Sequence, residues 1–410
     1  MLNTLRFDAL RTRNYRRFFL GQTVSVCGNW MESVAQSFLV LQLTGSGTQL
    51  GLVTAVRFGP MFLFAPWGGL LADRLDRRRV LMVTQTIAAL ISLTFTVLIA
   101  THTISMPLVY LLALCFGCVN LFDNPARESL VPDLVPQPLL VNAVTLNSVT
   151  VHGARLFGAA FGGVIAAALG LALCFGLNAV SFAAVVLSLL LMDSGAIAQH
   201  PRQDRRPGQV REGLRYVARS ADLLLPIVMI AVAGALAWEF PVSLPLLAQH
   251  TFHGNAATYG TMTAAMGLGG VAGGLVTASR TGQRLTTLAV AGIGWGAAIS
   301  ATALAPNIVV AYGILVLVGY GGIAFSSLAK TTLQLRAVPA MRGRVMALWA
   351  LAWLGSTPIG GPVVGAVGEH YGARWGLLIG GIATLAISLA AWPKLRALDR
   401  RSDNQEPPGT

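Results

Sequence analysis

Windows of about 20 apolar residues, each long enough to cross ~30 Å of hydrocarbon as a helix, recur twelve times along this 410-residue chain. They run over 17–43, 49–72, 80–101, 107–127, 142–168, 171–192, 223–248, 257–279, 286–304, 308–329, 344–367 and 373–392. A water-soluble domain could not hide so much oil, because 54% of the residues are hydrophobic and only 11% are charged. A β-barrel is excluded as well, since its strands are about ten residues long and alternate in polarity. The fold class is therefore an all-α polytopic membrane protein with twelve transmembrane helices.

The net charge of +13 would fit a nucleic-acid binder, but the basic residues sit in short connections between apolar runs and not on one soluble face. They report topology instead. Of the 29 Lys and Arg, only Arg374 falls on an odd-numbered connection, Arg57 and Arg155 lie inside spans, and the rest occupy the N-tail, the even-numbered connections and the C-tail. By the positive-inside rule both termini are expected in the cytoplasm, with the bundle in a bacterial-type inner membrane. No nucleic-acid partner is expected. Cys27, Cys115, Cys118 and Cys174 all fall in spans, where they act as small apolar packers, and no disulfide is expected. The N-terminus shows no short apolar region ending in a cleavage site, so no removable signal peptide is expected.

The widest break in hydrophobicity lies between Asp193 and Asp222, with Pro201, Pro207 and six arginines, and it separates six spans from six. Its later part, GQVREGLRYVAR, has the pattern of an amphipathic helix on the inner leaflet. The halves repeat each other. A shift of 203 lays Phe122 on Phe325, Arg127 on Lys330, Pro136 on Pro339, Gly158 on Gly361 and Gly162 on Gly365 without a gap, and a shift of 205 lays Gly68, Gly69 and Leu70 on Gly273, Gly274 and Leu275. Duplicated six-helix halves belong to secondary-transporter architectures. The expected domains are an N-terminal half over 1–192, a basic linker over 193–222, a C-terminal half over 223–393 and a tail over 394–410.

The first span carries Gln22, Ser25, Asn29, Glu32 and Gln36 at steps of three and four, one polar stripe on an oily rod. Glu32 needs a partner, a wet cavity or a proton, because a charge at mid-bilayer costs about 2.5 to 3.5 kcal/mol on an insertion scale. It lies 13 positions before Gly45, and Arg57 lies 12 after it, so a hairpin places both at one depth and an ion pair between them is expected. That pair fits a structural clamp as well as a transport pathway. Glu239 lies 13 positions before Phe252, so Trp30 with Glu32 is matched by Trp238 with Glu239, yet the position equivalent to Arg57 is Met262. An adjacent guanidinium favours the ionised carboxylate and burial without one favours the acid. Glu239 is thus expected to be the better proton carrier, with Arg155 placed to bias it. Glu32, Arg57, Arg155, Glu239, Asn29 and Gln36 form the expected proton and substrate pathway. Trp30, Trp238 and Trp353 are the expected cavity aromatics, although such residues also pack or meet lipid. His152 reads as a packing residue, and His250 with His253 are too few for a metal site. No metal and no cofactor beyond a proton gradient is expected.

The connection after the second span, GGLLADRLDRRR, resembles the major facilitator superfamily, whose corresponding loop carries G-x-L-A-D-R-x-x-R-R. Gly69, Asp73, Arg74, Arg77 and Arg78 fit that pattern. The resemblance implies a cytoplasmic gate in which Asp73 meets a helix N-terminus and the arginines meet carboxylates such as Asp123. GARLFGAAFGG, from Gly153 to Gly163, is similar to the fifth-helix antiporter pattern, with Ala159 in place of its proline. Small-residue helix packing explains the same glycines. FDNPARESLVPDLV, AWEFPVSLPLLA and the RGRVMALW run look like the branch containing bacterial enterobactin exporters and macrolide-type efflux pumps, over about Leu10 to Trp392. The resemblance implies two pseudo-symmetric halves in the major facilitator fold and export of small amphipathic molecules by alternating access and proton antiport. A dedicated siderophore exporter, or an importer or facilitator of the same fold, remains open. A monomer is expected, as is the absence of enzyme activity, since no nucleophile triad, metal-spaced histidines or phosphate loop falls in the spans.

Overall fold

The computed structural model describes residues 7–74, 76–193, 209–278, 284–339, 341–354 and 356–403. The side chains of 65–74, and of His152 with a few others inside helices, lie outside that description. Twelve rods account for the described chain: α1 (Arg13–Thr44), α2 (Gly47–Arg74), α3 (Arg77–Ala100), α4 (Met106–Leu134), α5 (Leu140–Leu169), α6 (Leu171–Leu190), α7 (Ala221–Thr251), α8 (Ala256–Ala278), α9 (Leu285–Ala303), α10 (Ile308–Arg336), α11 (Arg342–His370) and α12 (Ala373–Asp403). Among the described residues, nine of them are long and apolar enough to cross a membrane by length and composition alone. The other three are α1 with its polar stripe, α2 with Arg57 and the glycine-rich α8.

The arginine-poor turns are short because the chain reverses through left-handed glycines. Gly45 (φ 64°) ends α1, Gly170 (φ 93°) joins α5 to α6, and Gly372 (φ 102°) joins α11 to α12. At Gly45 the amide also donates to the Leu41 carbonyl at 2.8 Å, closing the last turn of α1. Helix starts are capped from the sequence: Asp76 accepts from the Arg79 amide at 3.1 Å, and Asn307 from the Val310 amide at 3.0 Å.

Two compact units result. The first comprises 1–45, 56–203 and 254–264, and the second 46–55, 204–253 and 265–410. In the first, α1 packs on α5 and α6, while α3 packs on α4 and α6. In the second, α7 packs on α11 and α12, while α9 packs on α10 and α12. The pairing is the same six helices later, which is the duplication read from the sequence expressed as packing. Each unit also takes in a short segment from the other half of the chain. In the first, Gly260 of α8 lies so close to α5 that a Cβ there would meet the Ala159 carbonyl oxygen at 2.5 Å. In the second, a Cβ on Gly51 of α2 would meet the Gly361 carbonyl oxygen of α11 at 2.2 Å. Glu369 then caps α2, accepting from the Ser46 hydroxyl at 2.7 Å and the Thr48 amide at 2.8 Å.

Two rods are interrupted where proline removes backbone donors. Pro241 and Pro245 cannot donate to α7, and the chain answers with π turns over Ala233–Ala237 and Leu247–Thr251 on either side of the short helix Phe240–Leu246. Glu239 occupies the break, at φ −78° and ψ 38°. The α11 rod likewise consists of Arg342–Leu354 and Thr357–His370, with Pro358 in the first turn of the second piece.

The expected amphipathic helix is present as Gln209–Ala218. It is tied to the second unit by the Glu212–Arg344 ion pair at 2.6 Å and by the Val338 amide donating to the Tyr216 hydroxyl at 3.3 Å. Val217 is buried with Leu223, Leu333, Val345 and Leu348.

Gly158 and Gly162 of α5 act as packing residues. A Cβ on Gly158 would meet the Cys27 carbonyl oxygen of α1 at 2.4 Å, whereas one on Gly153 meets nothing within 4 Å. Overpacking a close contact costs about 1 to 3 kcal/mol. Gly158→Ala should therefore lower the thermal unfolding temperature of the purified protein by several degrees, and Gly153→Ala should leave it unchanged.

Candidate functional site

The polar stripe of α1 is turned into the first unit. Gln22, Ser25, Glu32 and Gln36 are all buried, and Glu32 is only 1% exposed. Its carboxylate accepts from the Ser92 hydroxyl of α3 at 2.6 Å and from the Asn178 side-chain amide of α6, also at 2.6 Å. Asn178 reaches towards Asn29 at 3.4 Å as well. Hydrogen bonds to a charged group contribute about 1.5 to 3 kcal/mol each, so two of them offset much of the several kcal/mol that burying the carboxylate costs. One acid thereby fastens three helices together.

Arg57 does not form the expected ion pair with Glu32. Its guanidinium donates to the Gln36 side-chain carbonyl and lies 4.3 Å from the centre of the Phe116 ring on α4. Equal depth on a hairpin, which residue counting supplies, does not fix the direction in which each side chain leaves its helix. Arg57 and Glu32 still share one electrostatic neighbourhood. Arg155 of α5 is 8% exposed, with its guanidinium 4.9 Å from the centre of the Trp30 ring and Tyr259 of α8 beside it. Tyr259 in turn stacks on Phe38, with ring centres 6.1 Å apart. This buried cation on an aromatic face is suited to an anionic or polarised ring.

In the second unit Glu239 is 1% exposed at the break in α7. Thr357, which opens the second piece of α11, is its side-chain partner. Its Oε1 accepts no hydrogen bond from any described residue. Gly361 leaves the carboxyl room on the same side, since a Cβ there would come within 3.5 Å of Oε2. Trp238 and Trp353 have ring centres 4.5 Å apart, and Trp238 also lies 5.8 Å from Trp295 and from Phe240. These rings meet Trp238 at angles of 48° to 66°, tilted or edge-on, and form an aromatic cluster.

At the arginine-rich end, the side chains of Gly69, Asp73 and Arg74 lie outside the described residues. Arg77 pairs with Asp133 of α4 and donates to the Ser129 carbonyl at 3.2 Å. Arg78 donates to the carbonyls of Leu189 at 2.8 Å and Leu190 at 3.2 Å, neutralising the C-terminal end of α6. Among the described residues, Asp123 instead pairs with Arg127 and accepts from Thr84 and Gln85, each at 2.8 Å. A carboxylate four residues before an arginine on one helix is the nearer partner.

Sequence reading missed Ser92, Asn178, Tyr259 and Thr357. Asn178 had a signal, being an amide side chain inside a strongly apolar span. The others are small or amphipathic residues that any membrane helix carries.

The chain matches the family model described as transmembrane secretion effector over residues 4–408. It is 24% identical over 395 residues to the staphyloferrin A transporter of Staphylococcus aureus, covering 91% of this chain and 94% of that one. It is 26% identical over 384 residues to the enterobactin exporter EntS of Shigella boydii, covering 91% of each. Its fold is similar to that of a bacterial homologue of the lysosomal transporter Spinster, with a TM-score of 0.72 at 16% identity over 97% of this chain and 99% of that one. A mutant of the nucleoside transporter NupG gives a TM-score of 0.73 at 14% identity over 93% and 100%. With twelve helices in two repeated sets, buried acids on corresponding helices and a family match over nearly its whole length, the chain belongs to the transmembrane secretion effector family of major facilitator transporters.

Proposed function

We propose that this transporter exports small amphipathic molecules across a bacterial inner membrane by alternating access, with both termini cytoplasmic, in exchange for protons. The observation that carries this reading is the contrast between the two buried carboxyls. Glu32 is held through Oε2 by a hydroxyl and an amide from two other helices, so it is fastened in place. Glu239 offers an oxygen that accepts nothing among the described residues, so a proton can be placed there without breaking a bond. Glu239 is accordingly the proton carrier, and Glu32 with Asn178 and Ser92 is the fixed strut of the first unit. Glu239 also stands where the α7 backbone is already broken, and such breaks line binding sites in many transporters.

Reconstituted into proteoliposomes with an imposed pH gradient and enterobactin as probe, Glu239→Gln should lose uphill export by about tenfold or more while keeping downhill exchange. Uphill export at the wild-type rate would refute the assignment.

A dedicated siderophore exporter is the second reading, favoured by Arg155 against Trp30 and by the siderophores in the relatives' names. A buried guanidinium on an indole face selects an aromatic or carboxylate anion over a neutral amphiphile. Arg155→Gln should raise the KM for enterobactin roughly 10- to 100-fold, the equivalent of one lost charge-assisted hydrogen bond. The KM for a neutral amphipathic dye should stay unchanged. Equal effects on both probes would leave Arg155 as a packing residue.

A further inference from the structure

We infer that the second unit carries a binding site for the phosphate group of an anionic phospholipid, where α9 begins and α12 leaves the apolar core. A cavity of about 670 Å³ opens there, lined by Arg284 at the head of α9 and by Arg396 and Arg400 on α12. This is the end of the bundle that carries the arginine-rich connections.

Three features give the cavity its chemistry. The first is charge. Asp399 also lines it, but both of its oxygens are committed: Oδ1 accepts from the Leu285 amide at 2.9 Å, and Oδ2 accepts from the Thr286 amide and hydroxyl, each at 2.9 Å. That carboxylate caps α9 and is 6% exposed. Among the described residues neither Arg396 nor Arg400 is ion-paired. Arg396 and Arg400, set against one occupied carboxylate, leave the cavity cationic.

The second is polarity along the membrane normal. Trp392 lies one turn before Arg396 on the same face of α12, and Val290, 51% exposed, lies on α9 beyond Thr286 and Thr287. The cavity is thus apolar and aromatic toward the span and cationic toward the connections, about one helical turn or 6 Å apart. A phospholipid has that same order, acyl chain then phosphate, and tryptophan is enriched at this depth. A free phosphate would use the cationic end and leave the apolar end empty.

The third is construction. Two helices that already pack closely, α9 and α12, build both walls, and the Asp399 cap fixes their register. Guanidiniums on rigid helices can engage a phosphodiester with paired hydrogen bonds, and basic pockets between membrane helices bind such headgroups.

The test uses the full-length protein in detergent, with native mass spectrometry counting retained lipid. Phosphatidylglycerol should bind with a stoichiometry of one at this site, and the double variant R396Q/R400Q should weaken it roughly thirty-fold, the cost of two basic residues near an anionic lipid. Arg401→Gln, outside the cavity on the same helix, should have no effect and controls for general charge loss. Millimolar inorganic phosphate should fail to displace the lipid. Equal retention by the double variant would overturn the site. Displacement by inorganic phosphate, or equal retention of phosphatidylcholine, would overturn its assignment to an anionic lipid.

Discussion

A carboxylate inside hydrocarbon has no water to fall back on, so the protein must bring donors to it from whatever helices pass nearby. Glu32 shows how strongly that requirement organises a bundle. Ser92 and Asn178 come from positions 60 and 146 residues away in the chain, yet both close on one oxygen at 2.6 Å. Their convergence sets how α1, α3 and α6 are rotated about their own axes, something an apolar surface in lipid leaves loosely defined. Hydrophobic burial cannot do this job in a membrane, because lipid tails are as apolar as leucine. Close backbone approach does the rest, through glycines on α5, α8 and α11 that leave no room for a side chain.

Duplication supplied the two units with one packing plan, and divergence then gave their acids different surroundings. In the first, a hydroxyl and an amide both hold Oε2 of the carboxylate, with Arg57 in its electrostatic neighbourhood. In the second, two prolines break α7, the backbone passes through π turns, and Glu239 is left in the gap with Thr357 as its side-chain partner among the described residues. The break displaces Glu239 from a regular helical position and sets it beside the second piece of α11, itself opened by a proline. On the proposed function, one copy of the unit serves as a strut and the other as a site that changes state.

Much of this was written openly in the sequence. Apolar windows placed all twelve rods, Gly45 marked the first tight turn, and the three-to-four spacing of the α1 stripe identified the face that turned inward. Ungapped shifts predicted the repeated packing. What remained hidden was azimuth. Counting from Gly45 set Glu32 and Arg57 nearly equally far from the turn, but Arg57 leaves its helix toward Gln36 and Phe116. The loop motif likewise predicted arginines meeting acids on α4, while the acid met is Asp133, because Asp123 is already held by Arg127 one turn away. Partners such as Ser92 and Thr357 carry no distinctive sequence signal, since a hydroxyl inside a membrane helix most often bonds to its own backbone. Pro241 and Pro245 interrupt α7, and Glu239 occupies the interruption.

The central claim is that the second acid, and not the first, is where a proton is taken up. Acid-minus-neutral infrared difference spectroscopy on the full-length protein in a lipid bilayer reads this without any transported substrate, through the carbonyl stretch of a protonated carboxyl. The account predicts a buried-acid band that disappears in Glu239→Gln and persists in Glu32→Gln. A band that survives in Glu239→Gln and vanishes in Glu32→Gln would contradict it.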